Sequence, residues 1–134
     1  MRDARLKAPA NTQSGELRYA AHKQKGENML LRDKVILISG IGPGMGQALA
    51  RIAAKEGAKV GLGARNKEYV EQVTKEITAA GGKAIGVSCD ITKRDQCDNF
   101  VAKTAEAFGG KIDGLVNSAV YHGDWGGTLD ADLN

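Results

Sequence analysis

The sequence predicts an α/β fold, an incomplete doubly wound parallel sheet of about four strands and three helices. Three observations predict it. Short aliphatic runs alternate with amphipathic stretches between Val35 and Asn117. The first run, Val35-Ile36-Leu37-Ile38, is apolar at every position, as suits a strand covered on both faces. Glycines then close each amphipathic stretch, at Gly57, Gly81-Gly82 and Gly109-Gly110. A β-α-β-α-β-α-β order joined by right-handed crossovers yields a parallel sheet.

Each element has its own signal. After the first strand comes a glycine-rich turn, then a helix to about Glu56 with Ala48, Leu49, Ile52 and Ala53 expected on its buried stripe. Gly57 stands where a left-handed C-terminal cap belongs. The second strand is expected over 59–62. Asn66 suits the N-cap of a second helix whose Val70, Val73 and Ile77 share a face. The third strand is expected over 84–88. Thr92, with Asp95 three residues on, approximates a capping box for a third helix, which is expected to bury Cys97, Phe100, Val101, Thr104 and Phe108. Residues 114–117 form the fourth strand, whose outer edge is left for a further strand.

The basic charge is unevenly placed. Residues 1–28 carry Arg2, Arg5, Lys7, Arg18, Lys23 and Lys25 against Asp3, Glu16 and Glu27, which accounts for the whole formal charge of +3. This segment lacks periodicity and is read as a disordered basic extension. Residues 29–120 are expected to form the folded domain, and 121–134 an irregular tail at an expected truncation. The neutral domain and the 4% aromatic content argue against nucleic-acid binding. No apolar run approaches the roughly 20 residues of a membrane span, so no membrane role is expected. Cys89 and Cys97 lack a CxxC partner and read as free thiols in a reducing, cytoplasmic compartment. A mitochondrial leader is the weaker alternative, since the extension carries three acids. His122 and Asp124 lack the further ligands of a metal site, and none is expected.

The chemical signal is Ser39-Gly40-Ile41-Gly42-Pro43-Gly44-Met45-Gly46, between the first strand and the first helix. Glycine there permits a sharp turn, close approach of backbone to a pyrophosphate, and packing of helix on strand. The helix N-terminus adds unpaired N–H groups and partial positive charge. The GxGxxG spacing fails, because Met45 and Gln47 fall at the positions needing a small residue. Gly40, Gly44 and Gly46 match GxxxGxG instead, and no GK[ST] follows for a phosphate loop of the nucleoside-triphosphatase kind.

With that spacing the chain resembles the classical short-chain dehydrogenases/reductases, whose Thr-Gly-x-x-x-Gly-x-Gly is similar to Ser39 through Gly46, with Ser in place of Thr. Cys89-Asp90-Ile91-Thr92 resembles the family's Asp-Val/Ile-Thr segment after the third strand. Leu115-Val116-Asn117-Ser118-Ala119-Val120 resembles its Val-Asn-Asn-Ala-Gly at the fourth, with Ser118 and Val120 departing from the pattern. The resemblance runs from about Asp33 to Ala119 and implies a Rossmann-like domain that binds a nicotinamide dinucleotide. It implies contacts from Ser39, Gly40, Ile41, Gly44, Met45 and Gly46 to the phosphates, from Asp90 and Ile91 to the adenine, and from Asn117 and Ala119 to the nicotinamide side.

Cofactor choice turns on residues 61–65. An NAD site presents a carboxylate at the end of the second strand, about 20 residues past the turn. Ala64 stands there and Arg65 follows, whose planar fork suits a 2′-phosphate, so NADP is expected over NAD. Pro43 occupies the place of the family's other basic residue. The same Ala64-Arg65 argues against an adenosyl-methionine methyltransferase.

The family's catalytic Ser and Tyr-x-x-x-Lys are not found. Of three tyrosines, Tyr19 precedes Lys23 but lies in the extension, Tyr69 is followed at that spacing by Val73, and Tyr121 by Trp125. The expectation is therefore the cofactor-binding half of an oxidoreductase acting on a small carbonyl or alcohol, inactive alone. The alternative is a dinucleotide-binding module without turnover. A homo-oligomer is expected only of a complete chain.

Overall fold

The computed structural model describes residues 29–121. The expected extension over 1–28 and the tail from 122 onward lie outside the described residues. Four strands and three helices follow in strict alternation: β1 Val35–Ser39, α1 Met45–Lys55, β2 Lys59–Ala64, α2 Lys67–Ala79, β3 Lys83–Ser88, α3 Arg94–Ala107 and β4 Gly114–Asn117. All strand pairs are parallel, in the order β3-β2-β1-β4. The chain builds outward from β1 to β3 on one side, then crosses back to place β4 on the other. That reversal makes the sheet doubly wound.

The two sheet faces are sorted by residue parity. Ile38 of β1 and Val60 and Leu62 of β2 turn toward α1 and α2, where they meet Ala50, Ala53, Val70, Val73 and Ile77. Leu37 and Val87 turn the other way, toward Phe100 of α3. On β2 that second face is carried by Gly61 and Gly63. A Cβ on Gly61 would collide with the Thr104 side chain, and one on Gly63 with the Phe100 ring. The missing side chains let α3 lie close against the sheet, and Thr104, fully buried, donates its hydroxyl to the Phe100 carbonyl at 2.9 Å. β2 is longer than the expected 59–62 because its alternating glycines still pair in register with β1 and β3 as far as Gly63 and Ala64.

Helix ends follow the expected chemistry except at the start of α3. Asn66 caps α2, its Oδ1 accepting from the Glu68 and Tyr69 N–H groups at 2.9 and 3.4 Å. Gly57, Gly81, Gly109 and Gly110 all hold positive φ beyond the helix ends, the conformation that a Cβ disfavours. The third helix differs. Lys93, not Thr92, is the N-cap of α3 and makes no side-chain capping bond. Thr92 is instead drawn back to Asp90, whose Oδ1 accepts from its N–H and its hydroxyl. This local turn competes with the capping box and wins because both donors sit two residues from the carboxylate.

Burial also corrects two stripes. In α1 the buried residues are Gly46, Gln47, Ala50 and Ala53, while Ile52 is 51% exposed. Gly46 is pressed against the Gly40 carbonyl, which fixes the helix rotation and turns Ala50 and Ala53, not Ala48 or Ile52, to the sheet. In α3, Phe100 and Thr104 are buried, Cys97 and Phe108 half-buried, and Val101 exposed. β4 has no strand on its outer edge among the described residues, so the ground beside Val101 is uncovered. The start of β1 is tied to the start of β4 by the Val35 N–H, which donates to Asp113 Oδ2 at 2.9 Å. No helix among the described residues is long and apolar enough to cross a membrane.

The Gly63 contact yields a stability prediction. Gly63→Ala forces the Phe100 ring aside and is expected to cost about 1–3 kcal/mol. Urea unfolding followed by circular dichroism checks it, with a lower midpoint at unchanged slope as the expected outcome.

Candidate functional site

Parallel packing brings the carboxyl ends of all strands to one edge, and the segment leaving each strand there lines a single cleft of about 660 Å³. Residues 39–42 come from β1, 63–66 with Tyr69 from β2 and α2, 89–92 from β3, and 118–121 from β4. The cleft spans the point where the strand order reverses, between β1 and β4, which is where open α/β sheets bind ligands.

The floor is the glycine turn. Gly40 has φ of +90°, and a Cβ there would strike the backbone of Ser118 and Ala119, so β1 and β4 meet only because the side chain is missing. The Gly40 and Ile41 N–H groups both donate to the Gly63 carbonyl, at 2.7 and 3.2 Å, which joins the turn to β2. Gly42 and Gly44 are different in kind. A Cβ at either would meet nothing within 4 Å, so their backbone lies bare at the mouth of the turn. Gly44 is the N-cap of α1 and has no side chain to satisfy the first amides of the helix. Bare backbone and uncapped amides together fit the phosphates of a dinucleotide.

Of the residues singled out from the sequence, Ser39, Gly40, Ile41, Arg65, Asp90, Ile91 and Ala119 line the cleft. Ile41 is nearly all core, at 1% exposed. Gly44 and Met45 lie at the helix start outside the lining, and Gly46 packs the helix onto the turn. Asn117 faces a neighbouring cavity with Ser39, Ile91 and Ala119, and the Ser39 hydroxyl donates toward its Oδ1 at 3.5 Å. Sequence reasoning missed Asn66, Tyr69, Cys89, Thr92, Ser118, Val120 and Tyr121. Their common signal is position, one to a few residues past the end of a parallel strand.

Electrostatics at the β3 side are set by Asp90. Its carboxyl is held below the usual range by the Thr92 N–H, then by the Thr92 hydroxyl, with weaker attraction from Arg65 and Lys93. The Asp90 N–H donates to Gln96 Oε1 at 2.8 Å, so the loop is braced against α3 as well. Beside it burial, and then the charge of Cys97, push the Cys89 thiol up to about 11.

A sequence model of the family described as short chain dehydrogenase matches residues 34–130. The chain belongs to the short-chain dehydrogenase family. Among curated relatives it is similar to the uncharacterized oxidoreductase YxnA of Bacillus subtilis (strain 168), 39% identical over 109 residues, which cover 81% of this chain and 30% of that one. The 2,5-dichloro-2,5-cyclohexadiene-1,4-diol dehydrogenase LinX of Sphingobium indicum is 45% identical over 89 residues, 66% of this chain and 35% of that one. Among solved structures, a short-chain dehydrogenase/reductase from Serratia marcescens superposes with a TM-score of 0.68 at 32% identity, covering 77% of this chain and 42% of that one. An actinorhodin polyketide ketoreductase solved with NADPH gives 0.64 at 34% identity, covering 75% and 38%. This short-chain dehydrogenase chain spans 30–38% of the length of the curated relatives it matches.

The Asp90 turn predicts a pH dependence. A carboxyl whose folded value is lowered stabilises the fold above the unfolded value, near 3.9, and that contribution is lost as the pH falls through the lowered native value. A carboxyl NMR titration checks it. Thr92→Val is expected to raise the Asp90 value part of the way, since the backbone N–H donor remains.

Proposed function

We propose that this chain is the cofactor-binding half of an NADP(H)-dependent oxidoreductase that, when complete, moves hydride between the nicotinamide and a carbonyl or alcohol. The observation that carries the reading is the bare backbone at Gly42 and Gly44, set at the N-terminus of α1 on the carboxyl edge of the sheet. Sheet order supports one orientation of the ligand. β2 and β3 lie on one side of the turn and β4 on the other. The adenosine half therefore belongs with Arg65, Asp90 and Ile91, and the nicotinamide half with Asn117 and Ala119.

Each residue has a stated task. The Gly42 amide and those opening α1 hold the bridging phosphates. Arg65, exposed at the cleft rim beyond β2, pairs its guanidinium with a 2′-phosphate, and no carboxylate at Ala64 competes for a 2′-hydroxyl. Asp90, kept ionised by Thr92, accepts from the adenine amino group, and Ile91 covers the ring. Ser39 steadies Asn117 at the β4 end. Bound there, the nicotinamide supplies or accepts the hydride.

Proton transfer to the substrate needs a general acid, and no tyrosine of this chain outside the first 28 residues stands four before a lysine. That absence favours the second reading, binding without turnover, for the chain by itself.

Fluorescence titration with NADPH and NADH tests the proposal. Tighter binding of NADPH is expected. Arg65→Ala should weaken NADPH by about tenfold or more, the loss of a charge-assisted contact of roughly 1.5–3 kcal/mol, and leave NADH nearly unchanged. Equal affinities for the two would overturn the choice of NADP, and binding of neither would overturn the site. NADPH oxidation by the chain with a carbonyl compound would overturn the assignment of turnover to a longer protein.

A further inference from the structure

The fold brings the two cysteines of the chain together at the foot of the cleft. Cys89 follows β3 and is 3% exposed, Cys97 sits half-buried in the first turn of α3, and both are free thiols. Cys97 packs against the buried cluster that contains Cys89 and Phe100. Cys97 Sγ also lies 3.7 Å from the Ile91 carbonyl oxygen and 4.0 Å from that of Asp90. Both cysteines line a second cavity of about 300 Å³, walled by Phe100, Val101 and Leu115. This space adjoins the cleft, whose wall also includes Cys89.

Buried thiols in a reducing environment are ordinarily inert packing residues. This pair departs from that pattern because one member reaches the surface, the other is buried in the cluster it packs against, and open space adjoins both. That is the arrangement of an attacking and a resolving thiol. We propose that Cys89 and Cys97 form a redox pair that closes to an intramolecular disulfide by exchange with a small-molecule disulfide.

The exchange balances without any other reagent. Cys97 loses its proton to solvent, and its thiolate attacks one sulfur of the small disulfide, forming a mixed disulfide and expelling one small thiolate. Cys89 then loses its proton, and its sulfur attacks Cys97 Sγ, forming the protein disulfide and expelling the second thiolate. Two protein thiols are oxidised to one S–S bond, and the small disulfide is reduced to two thiols that take up both protons. The order follows from exposure. Cys89 is buried, and that burial is the first cause of its raised pKa, whereas Cys97 is half-buried and meets the small disulfide first.

The test incubates the 134-residue chain with oxidised glutathione, alkylates the remaining thiols and digests with trypsin. The expected major product is peptide 84–93 joined through Cys89 to peptide 95–103 through Cys97, separated again by dithiothreitol. Cys89→Ser is expected to trap glutathione on Cys97, while Cys97→Ser leaves Cys89 unmodified, with circular dichroism confirming that both variants fold. Wild-type protein that remains reduced, or that carries glutathione on both cysteines with no joined peptides, would overturn the proposal. Capture of glutathione by Cys89 in Cys97→Ser as readily as by Cys97 in Cys89→Ser would overturn the assigned order. Should a variant not fold, the wild-type digest decides by itself.

Discussion

Close approach of three backbone segments at Gly40 is the constraint on which the rest of the structure depends. The turn leaving β1 must run against the residues leaving β4, and the first turn of α1 must lie on the carbonyl of that same glycine. Neither contact tolerates a Cβ. Once both are made, α1 has one permitted rotation, β4 has one permitted distance from β1, and the cleft has a floor. The hydrogen bonds from Gly40 and Ile41 to Gly63 then bind β2 into the same arrangement. The turn is thus a structural keystone before it is a ligand site, and only Gly42 and Gly44 are left with nothing packed on them.

A second set of missing side chains shapes the opposite face. Gly61 and Gly63 alternate with Val60 and Leu62, so β2 presents bulk to α1 and α2 and bare backbone to α3. A sheet covered on both faces ordinarily reads as continuous aliphatic sequence. Here close helix contact substitutes for side-chain volume, and Thr104 and Phe100 fill what the glycines leave open.

Local chemistry made much of this legible. The run Val35 to Ile38 announced a strand buried on both sides, the Asn66 cap and the 70, 73, 77 spacing announced α2, and the glycine spacing announced the sharp turn between β1 and α1. What was not legible depended on contacts distant in sequence. The stripe of α1 could not be read from its own apolar residues, because Ile52 is outcompeted by Gly46 seated on Gly40. Thr92 carried a capping signature, yet Asp90 offers it two bonds at shorter range. Of the residues named by motif, Ser39, Gly40, Ile41, Asp90, Ile91 and Ala119 line the cleft and Gly44, Met45, Gly46 and Asn117 do not, while Asn66, Tyr69 and Tyr121 belong to it only through the convergence of strand ends. Val101 was expected inside and lies outside because nothing among the described residues covers β4 on that side.

The pairing of β1 with β4 has a consequence for the order of assembly. β1 meets β2 across a short connection, whereas the Val35–Asp113 bond that begins the β1–β4 pairing closes a separation of 78 residues. Long loops carry a larger closure entropy, which favours forming the three-stranded unit ahead of the fourth strand. The same hierarchy governs opening of the native protein, where the least cooperative segment exchanges its amides first. The wall built from residues 118–121 is therefore expected to be completed last and released first. A ligand reaching from the β2 side to the β4 side would slow amide exchange in β4 more than anywhere else in the sheet.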